Sequence, residues 1–125
     1  MKTTTPSNHI DLMFRAFSDR TRLRILHLLQ GGELCVGDIV GVLRLPQPRV
    51  SRHLAYLRKA GLVLRRKEGL WSFYSLAPAQ APFHKNLVGC LATCFRDVPE
   101  IKADQARAER VRASGGCCPS GGGSE

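Results

Sequence analysis

The stretch Leu45-Pro-Gln-Pro-Arg-Val-Ser-Arg-His-Leu-Ala-Tyr-Leu-Arg-Lys-Ala-Gly-Leu-Val63 reads as a tight turn, a short basic helix and its stop. Val50, Leu54 and Leu57 recur at i, i+4, i+7, the spacing of a buried helix face, while Arg49, Arg52, His53 and Tyr56 fall together on another. One face serves the core and the other a polar partner. Pro46 and Pro48 fix the entry, because a proline in the first helical turn gives up an N–H that has no helical partner anyway. Gly61 supplies a left-handed stop.

The flanks give this helix its setting. Upstream, Ile10, Met13, Phe14 and Phe17 mark a first amphipathic helix that ends near Ser18. Ser18 or Asp19 can cap a second helix, whose Leu23, Ile25, Leu26, Leu28 and Leu29 cover so much of its circumference that it must be largely buried. Gly31-Gly32 ends it. A short third helix, Val36 to Leu43, then meets the Leu45-Pro-Gln-Pro turn, giving two short helices the spacing of a helix-turn-helix. Downstream, Leu62-Val-Leu-Arg-Arg-Lys67 and Leu70-Trp-Ser-Phe-Tyr-Ser-Leu76 flank Glu68-Gly69 as a β-hairpin. A hairpin directly after a helix-turn-helix is a wing.

Past Pro78 and Pro82, a fifth helix over about residues 83–97 carries Phe83, Leu87, Cys90, Leu91, Cys94, Phe95 and Val98 on one side. The same helix of a second subunit is the most economical cover for that stripe. The expected fold is mainly α (α+β): a winged helix-turn-helix with a β-hairpin wing and a C-terminal dimerisation helix, over residues 1–98. Residues 99–125 read as a charged tail with vicinal cysteines. Within it, 99–113 permit a helix but hold too few large apolar residues to pack firmly, and 115–125 are flexible by composition.

Composition narrows the partner. At 125 residues, the chain has one domain's worth of length and a single core. Nineteen Lys and Arg against ten Asp and Glu leave +9, so a symmetric dimer would carry 2 × 9 = +18. That charge favours a polyanion, nucleic acid ahead of an anionic membrane. The N-terminus has one lysine followed by threonines and no continuous apolar run, which fits neither a signal peptide nor a membrane span and points to the cytoplasm. Five cysteines without a secretion signal argue against a disulfide scaffold, and an odd number cannot pair completely within one chain. Reduced thiols, available to metals or redox chemistry, are the expectation.

The basic helix is equipped to read DNA. Arg49 and Arg52 can make bidentate contacts to guanine or meet phosphates, Gln47 and Ser51 can donate at the turn, and His53 can reach a phosphate or a base edge, with Tyr56 on the same face. Arg65, Arg66 and Lys67 add three positive charges on the wing, where a neighbouring groove or phosphate line would lie. A merely solvated basic helix would not need the turn before it and the charged wing after it.

Phe17-Ser-Asp-Arg-Thr-Arg-Leu-Arg-Ile-Leu-His-Leu-Leu29, Glu33-Leu-Cys-Val-Gly-Asp38 and Pro46-Gln-Pro-Arg-Val-Ser-Arg-His-Leu-Ala-Tyr-Leu-Arg-Lys-Ala-Gly-Leu-Val63 together resemble the ArsR/SmtB family of winged-helix repressors, over roughly residues 9–98. The resemblance implies a homodimer that binds double-stranded operator DNA at an inverted repeat and is released by an inducer. The Glu-Leu-Cys-Val stretch is similar to the arsenic-responsive branch. The best-known arsenic site of that branch has a second cysteine two residues after the first, and Gly37 stands there in this chain. Cys35 thus lacks its local thiolate partner and reads as a buried structural thiol.

The other cysteines make the better site. Cys90 and Cys94 lie one helical turn apart, so both thiols leave the fifth helix the same way, and the vicinal Cys117 and Cys118 sit on a tether. Trivalent arsenic or antimony is soft and is satisfied by three thiolates, which a helix pair and one tail thiol supply. Zinc on all four is formally possible but the poorer expectation, and nickel or cobalt would want imidazole or carboxylate. Interface packing for Cys90 and Cys94 and an incidental tail for Cys117 and Cys118 are the bland alternatives. His9, His27, His53 and His84 are scattered and read as structural or surface residues.

The sequence therefore points to a metalloid-responsive repressor and not to an enzyme, since no cysteine has a histidine or acid placed as an evident base. The rivals are a thiol-redox or persulfide-sensing repressor of the same fold and, further off, a small thiol or metal-sequestering protein.

Overall fold

The computed structural model describes residues 6–116. Their order is α1 (Pro6–Phe17), α2 (Arg20–Leu29), β1 (Leu34–Cys35), α3 (Val36–Leu43), α4 (Gln47–Lys59), β2 (Val63–Glu68), β3 (Trp71–Leu76), α5 (Pro82–Thr93) and α6 (Pro99–Ser114). The winged helix-turn-helix expected from the sequence is present, with the sheet in the order β1-β3-β2 and both pairings antiparallel. The hairpin closes at Glu68 opposite Trp71, and the two-residue β1, which the sequence reading missed, lays Leu34 and Cys35 against Tyr74 and Phe73.

The core forms around α2, where Ile25, Leu26, Leu28 and Leu29 are buried together with Met13, Ile39, Val42, Leu54, Leu57 and Leu62. Asp19 is the residue that caps α2, its carboxylate accepting the Arg22 N–H at 3.1 Å. Phe14, expected on the inner face of α1, points outward and is 54% exposed, while Ala16 takes the inner place.

Two elements differ from the sequence expectation. First, α5 stops at Thr93 and not near 97, leaving Cys94 at its C-cap and residues 94–98 in turns. Pro99 disfavours helix at the residue before it, and Val98 is extended accordingly (φ −68°, ψ 124°).

Second, residues 99–114 do not trail from the domain, because α6 packs against α2 and α3. Only Ile101 and Ala108 are buried apolar residues on it, so hydrophobic area is not what docks it. Polar side chains do that instead. Asp104, 1% exposed, accepts Arg24 Nε at 2.8 Å and Arg24 Nη2 at 2.9 Å from α2, and Arg107 Nη2 at 2.9 Å from its own helix. The two guanidiniums go on to the last carbonyls of α3, Arg24 to Leu43 O at 3.1 Å and Arg107 to Val42 O at 2.6 Å. Arg112 closes the end of α2 in the same way, donating to Leu28 O at 3.2 Å and Gly32 O at 2.8 Å. Helix C-termini leave their final carbonyls without helical partners, and α6 satisfies two such ends. Among the described residues, no helix is long and apolar enough to cross a membrane.

Candidate nucleic-acid interface and cysteine sites

The helix-turn-helix is built by α3, the turn Arg44-Leu45-Pro46 and α4. Arg44 ends α3 in the left-handed conformation (φ 59°, ψ 43°), and Pro46 enters α4 extended. On α4, Val50, Leu54 and Leu57 are buried as their spacing requires, and Gly61 stops the helix at φ 81°. Gln47, Arg49 and Arg52 stand exposed on the outer side, with Ser51 half-buried. Arg44 and Lys59 add exposed charges beside them that the sequence reading left out.

His53 and Tyr56 are less free than expected, because both turn toward Arg22 of α2. The Arg22 guanidinium lies 4.1 Å above the centre of the Tyr56 ring, and its Nη1 is 3.4 Å from His53 Nδ1. The same side chain bonds Ala16 O at 3.0 Å and Arg15 O at 2.9 Å, closing the end of α1. Burial, reinforced by the charges of Arg22, Arg49 and Arg52 against the opposing pull of Asp19, lowers the His53 pKa below its ordinary value. The ring is thus neutral at pH 7, with Nδ1 accepting from Arg22 and the proton on Nε2. Arg22 is the residue sequence reasoning missed here: its position on a buried helix gave no sign that it would clamp α1 to α4.

The wing divides its three cations. Successive strand residues face opposite ways, which sets Arg66 apart from Arg65 and Lys67. Arg66 holds Glu33 at 3.0 and 2.7 Å and Glu68 at 2.5 Å, with its guanidinium 4.5 Å from the centre of the Phe73 ring. Hydrogen bonds from Glu33 first, then Glu68, raise its pKa well above the ordinary guanidinium value. Arg66 therefore braces the wing against the loop before β1, while Arg65 and Lys67 are exposed on the other side.

Of the cysteines expected to form a site, Cys90 and Cys94 are brought together at the end of α5, their Cα atoms 5.3 Å apart and their sulfurs bonded as a disulfide. Cys35 is buried at the N-cap of α3 and is a disulfide cysteine as well. Cys117 and Cys118 lie outside the described residues. The described chain ends at Gly116, whose neighbourhood is that of Cys35 and Asp38: these residues line one cleft of about 240 Å³ with Gly32, Phe73 and Arg112. Among the described residues, no group of three or more His, Cys, Asp or Glu is arranged to hold a metal ion. His84 is a core histidine, fully buried, its Nδ1 accepting the Gln80 N–H at 3.2 Å.

Known proteins share this arrangement. The family model described as "Bacterial regulatory protein, arsR family" matches residues 19–64, from the cap of α2 to the first two residues of β2. An uncharacterized HTH-type transcriptional regulator of Methanocaldococcus jannaschii is 54% identical over 63 residues, covering 50% of this chain and 71% of its own. The arsenical resistance operon repressor of Escherichia coli is 51% identical over 67 residues, 53% of this chain and 57% of the repressor, so that match spans little more than half of the relative's length. Among solved structures, HlyU from Vibrio cholerae superposes with a TM-score of 0.63 at 33% identity over 74% of this chain and 98% of HlyU. A winged helix-turn-helix with its recognition face open and its sequence matched across α2 to β2 makes this chain a member of the arsR family of bacterial transcriptional regulators, DNA-binding proteins and not enzymes.

Proposed function

We propose that the chain is a homodimeric repressor that holds operator DNA through α4 and the wing and releases it when trivalent arsenic or antimony is bound by cysteine thiolates. The observation that carries the DNA part is the division of α4: Val50, Leu54 and Leu57 are buried while Gln47, Arg49 and Arg52 are exposed on the opposite side. A major groove about 12 Å wide admits such a helix, and Arg49 and Arg52 are suited to guanine edges or phosphates there. Ser51 donates at the groove edge. Arg65 and Lys67 meet phosphates from the wing, with Arg66 fixing the strand that carries them, and His53 and Tyr56 set the tilt of α4 through Arg22.

Two recognition helices must sit one DNA turn apart, about 34–36 Å, to occupy successive grooves. A second copy packed on the half-buried face of α5 and on the exposed Phe14 of α1 provides that spacing. The metalloid part is supported by similarity to arsenical resistance repressors and by the thiophilic character of trivalent arsenic, which zinc shares to a lesser degree. The bonded sulfurs of Cys90 and Cys94 favour one second reading, a redox or persulfide signal through the same fold.

The test is operator binding by the reduced protein with and without arsenite. A 5- to 150-fold loss of affinity on arsenite addition is expected for an inducer of ordinary coupling strength. Release by peroxide or polysulfide, with no response to arsenite under reducing conditions, selects the redox reading instead.

A further inference from the structure

We propose that Arg22 is the positioning residue of the recognition helix: its guanidinium fixes the roll of α4 through Tyr56 and His53, and a proton on His53 releases that hold. This rests on the operator reading above and names what aims the helix at the groove.

The apolar contacts of α4 leave its aim open. Val50, Leu54 and Leu57 hold the helix on the core, but hydrophobic contact is non-directional and sets distance better than rotation. Arg22 supplies the direction. From the first turn of α2, its Nε donates to Ala16 O at 3.0 Å and its Nη2 to Arg15 O at 2.9 Å, which anchors the guanidinium on the end of α1. The rest of the group serves α4, with Nη1 3.4 Å from His53 Nδ1 and the guanidinium carbon 4.1 Å from the centre of the Tyr56 ring. Three nitrogens and one face of the plane are engaged at once, which a flexible ammonium cannot copy.

The contact bears directly on the DNA-facing side chains. Arg49 and Arg52 each precede one of its two partners by four residues, about one helical turn, so a roll that moves His53 and Tyr56 moves Arg49 and Arg52 with them. On the other side, the exposed Phe14 stands in the same last stretch of α1 whose carbonyls Arg22 holds. The aim of α4 is thereby referenced to the surface on which the second copy was placed.

His53 makes the hold conditional. Its Nε2 carries the proton of the neutral ring, so an added proton must go to Nδ1, where it meets the Arg22 Nη1 donor with like charge. Asp19 and Arg22 face the ring from α2 and its cap, Arg49 and Arg52 from α4 itself, and α1 meets the cluster through the Arg15 and Ala16 carbonyls. Asp19 is the one anion among these, its Oδ1 4.0 Å from Nδ1. The imidazolium therefore turns from Arg22 to Asp19, and Arg22 loses its polar grip on α4. Burial places this event on the acid side of the ordinary histidine range.

The experiment uses the full-length chain, a duplex that the wild type enriches from a random pool, and an unselected duplex of equal length. Arg22→Lys keeps the charge and loses the plane. It is expected to bind the selected duplex about tenfold more weakly and the unselected one almost as before, with the salt slope unchanged because phosphate contacts carry that slope. Tyr56→Leu should act in the same direction, and the double variant should be no weaker than Arg22→Lys, since both remove one contact. From about pH 7.5 to about pH 5.5, the wild-type preference for the selected duplex should fall about threefold, while in His53→Gln it stays level whatever its starting value. Equal losses on both duplexes with a reduced salt slope would make Arg22 a phosphate contact and overturn the proposal, as would additive losses for Arg22→Lys and Tyr56→Leu. A wild-type preference that holds or rises in acid overturns the release. A wild-type chain that enriches no duplex sinks the operator reading itself, a result distinct from enrichment that Arg22→Lys leaves intact.

Discussion

Asp104 shows how much one side chain can decide. It is buried between two arginines from different positions, and its removal leaves Arg24 and Arg107 facing each other with no anion. Breaking a buried pair from one side costs on the order of 3 kcal/mol, so Asp104→Ala is expected to lower the thermal midpoint by several degrees, measured by calorimetry. A loss below about 0.5 kcal/mol would mean that α6 docks by other means. Histidine makes a second prediction. Burial lowers the pKa of His53, and burial likewise lowers that of His27, with Asp104 opposing. The unfolded chain therefore binds protons at a higher pH than the folded one, and stability present above about pH 6.5 falls as the pH drops below it. The His27→Gln/His53→Gln variant should show a flatter stability profile between pH 7 and pH 5. An unchanged slope would place the acid sensitivity elsewhere.

At the scale of elements, the recognition helix and the wing were legible because their periods are clean. Val50, Leu54 and Leu57 repeat at helical spacing, and the strands flank a Glu-Gly turn. β1 was not legible, since two residues carry no period. α6 was hidden for a different reason: its docking is done by arginines reaching backbone carbonyls, and a count of apolar side chains cannot see that. Among the described cysteines, the pairing of Cys90 with Cys94 was legible from helical spacing, whereas the burial of Cys35 at the start of α3 depends on its packing in three dimensions. The wing gives a prediction at this scale. Arg65→Ala and Lys67→Ala should each weaken operator binding and reduce the salt dependence by about one unit, as expected when a phosphate contact is lost. Arg66→Ala should leave the salt slope nearly intact, because its charge is held by Glu33 and Glu68. Equal slopes for all three would contradict the division of the wing's charges. Gly61→Ala, which forces a side chain into a left-handed position, should cost about 1 kcal/mol in a chemical denaturation curve.

For the whole molecule, charge and symmetry set the expectations. A dimer of 13.8 kDa chains should sediment at twice that mass, and Phe14→Asp should shift it toward the monomer while the far-ultraviolet spectrum stays unchanged. A wild-type chain that remains monomeric at micromolar concentration would overturn the proposed spacing of the recognition helices. The chain's net charge of +9 should make operator affinity steeply dependent on salt, and affinity indifferent to salt would count against DNA as the partner.

The grip of α6 on the carbonyls of Leu28, Gly32 and Val42 also bears on how the chain unfolds. A helix that completes the ends of two others cannot melt alone without exposing them, so the cooperative unit runs through Ser114. In hydrogen exchange, amides of α6 should open together with those of α2, and a fragment cut at residue 98 should behave as a loosened chain with two frayed helix ends.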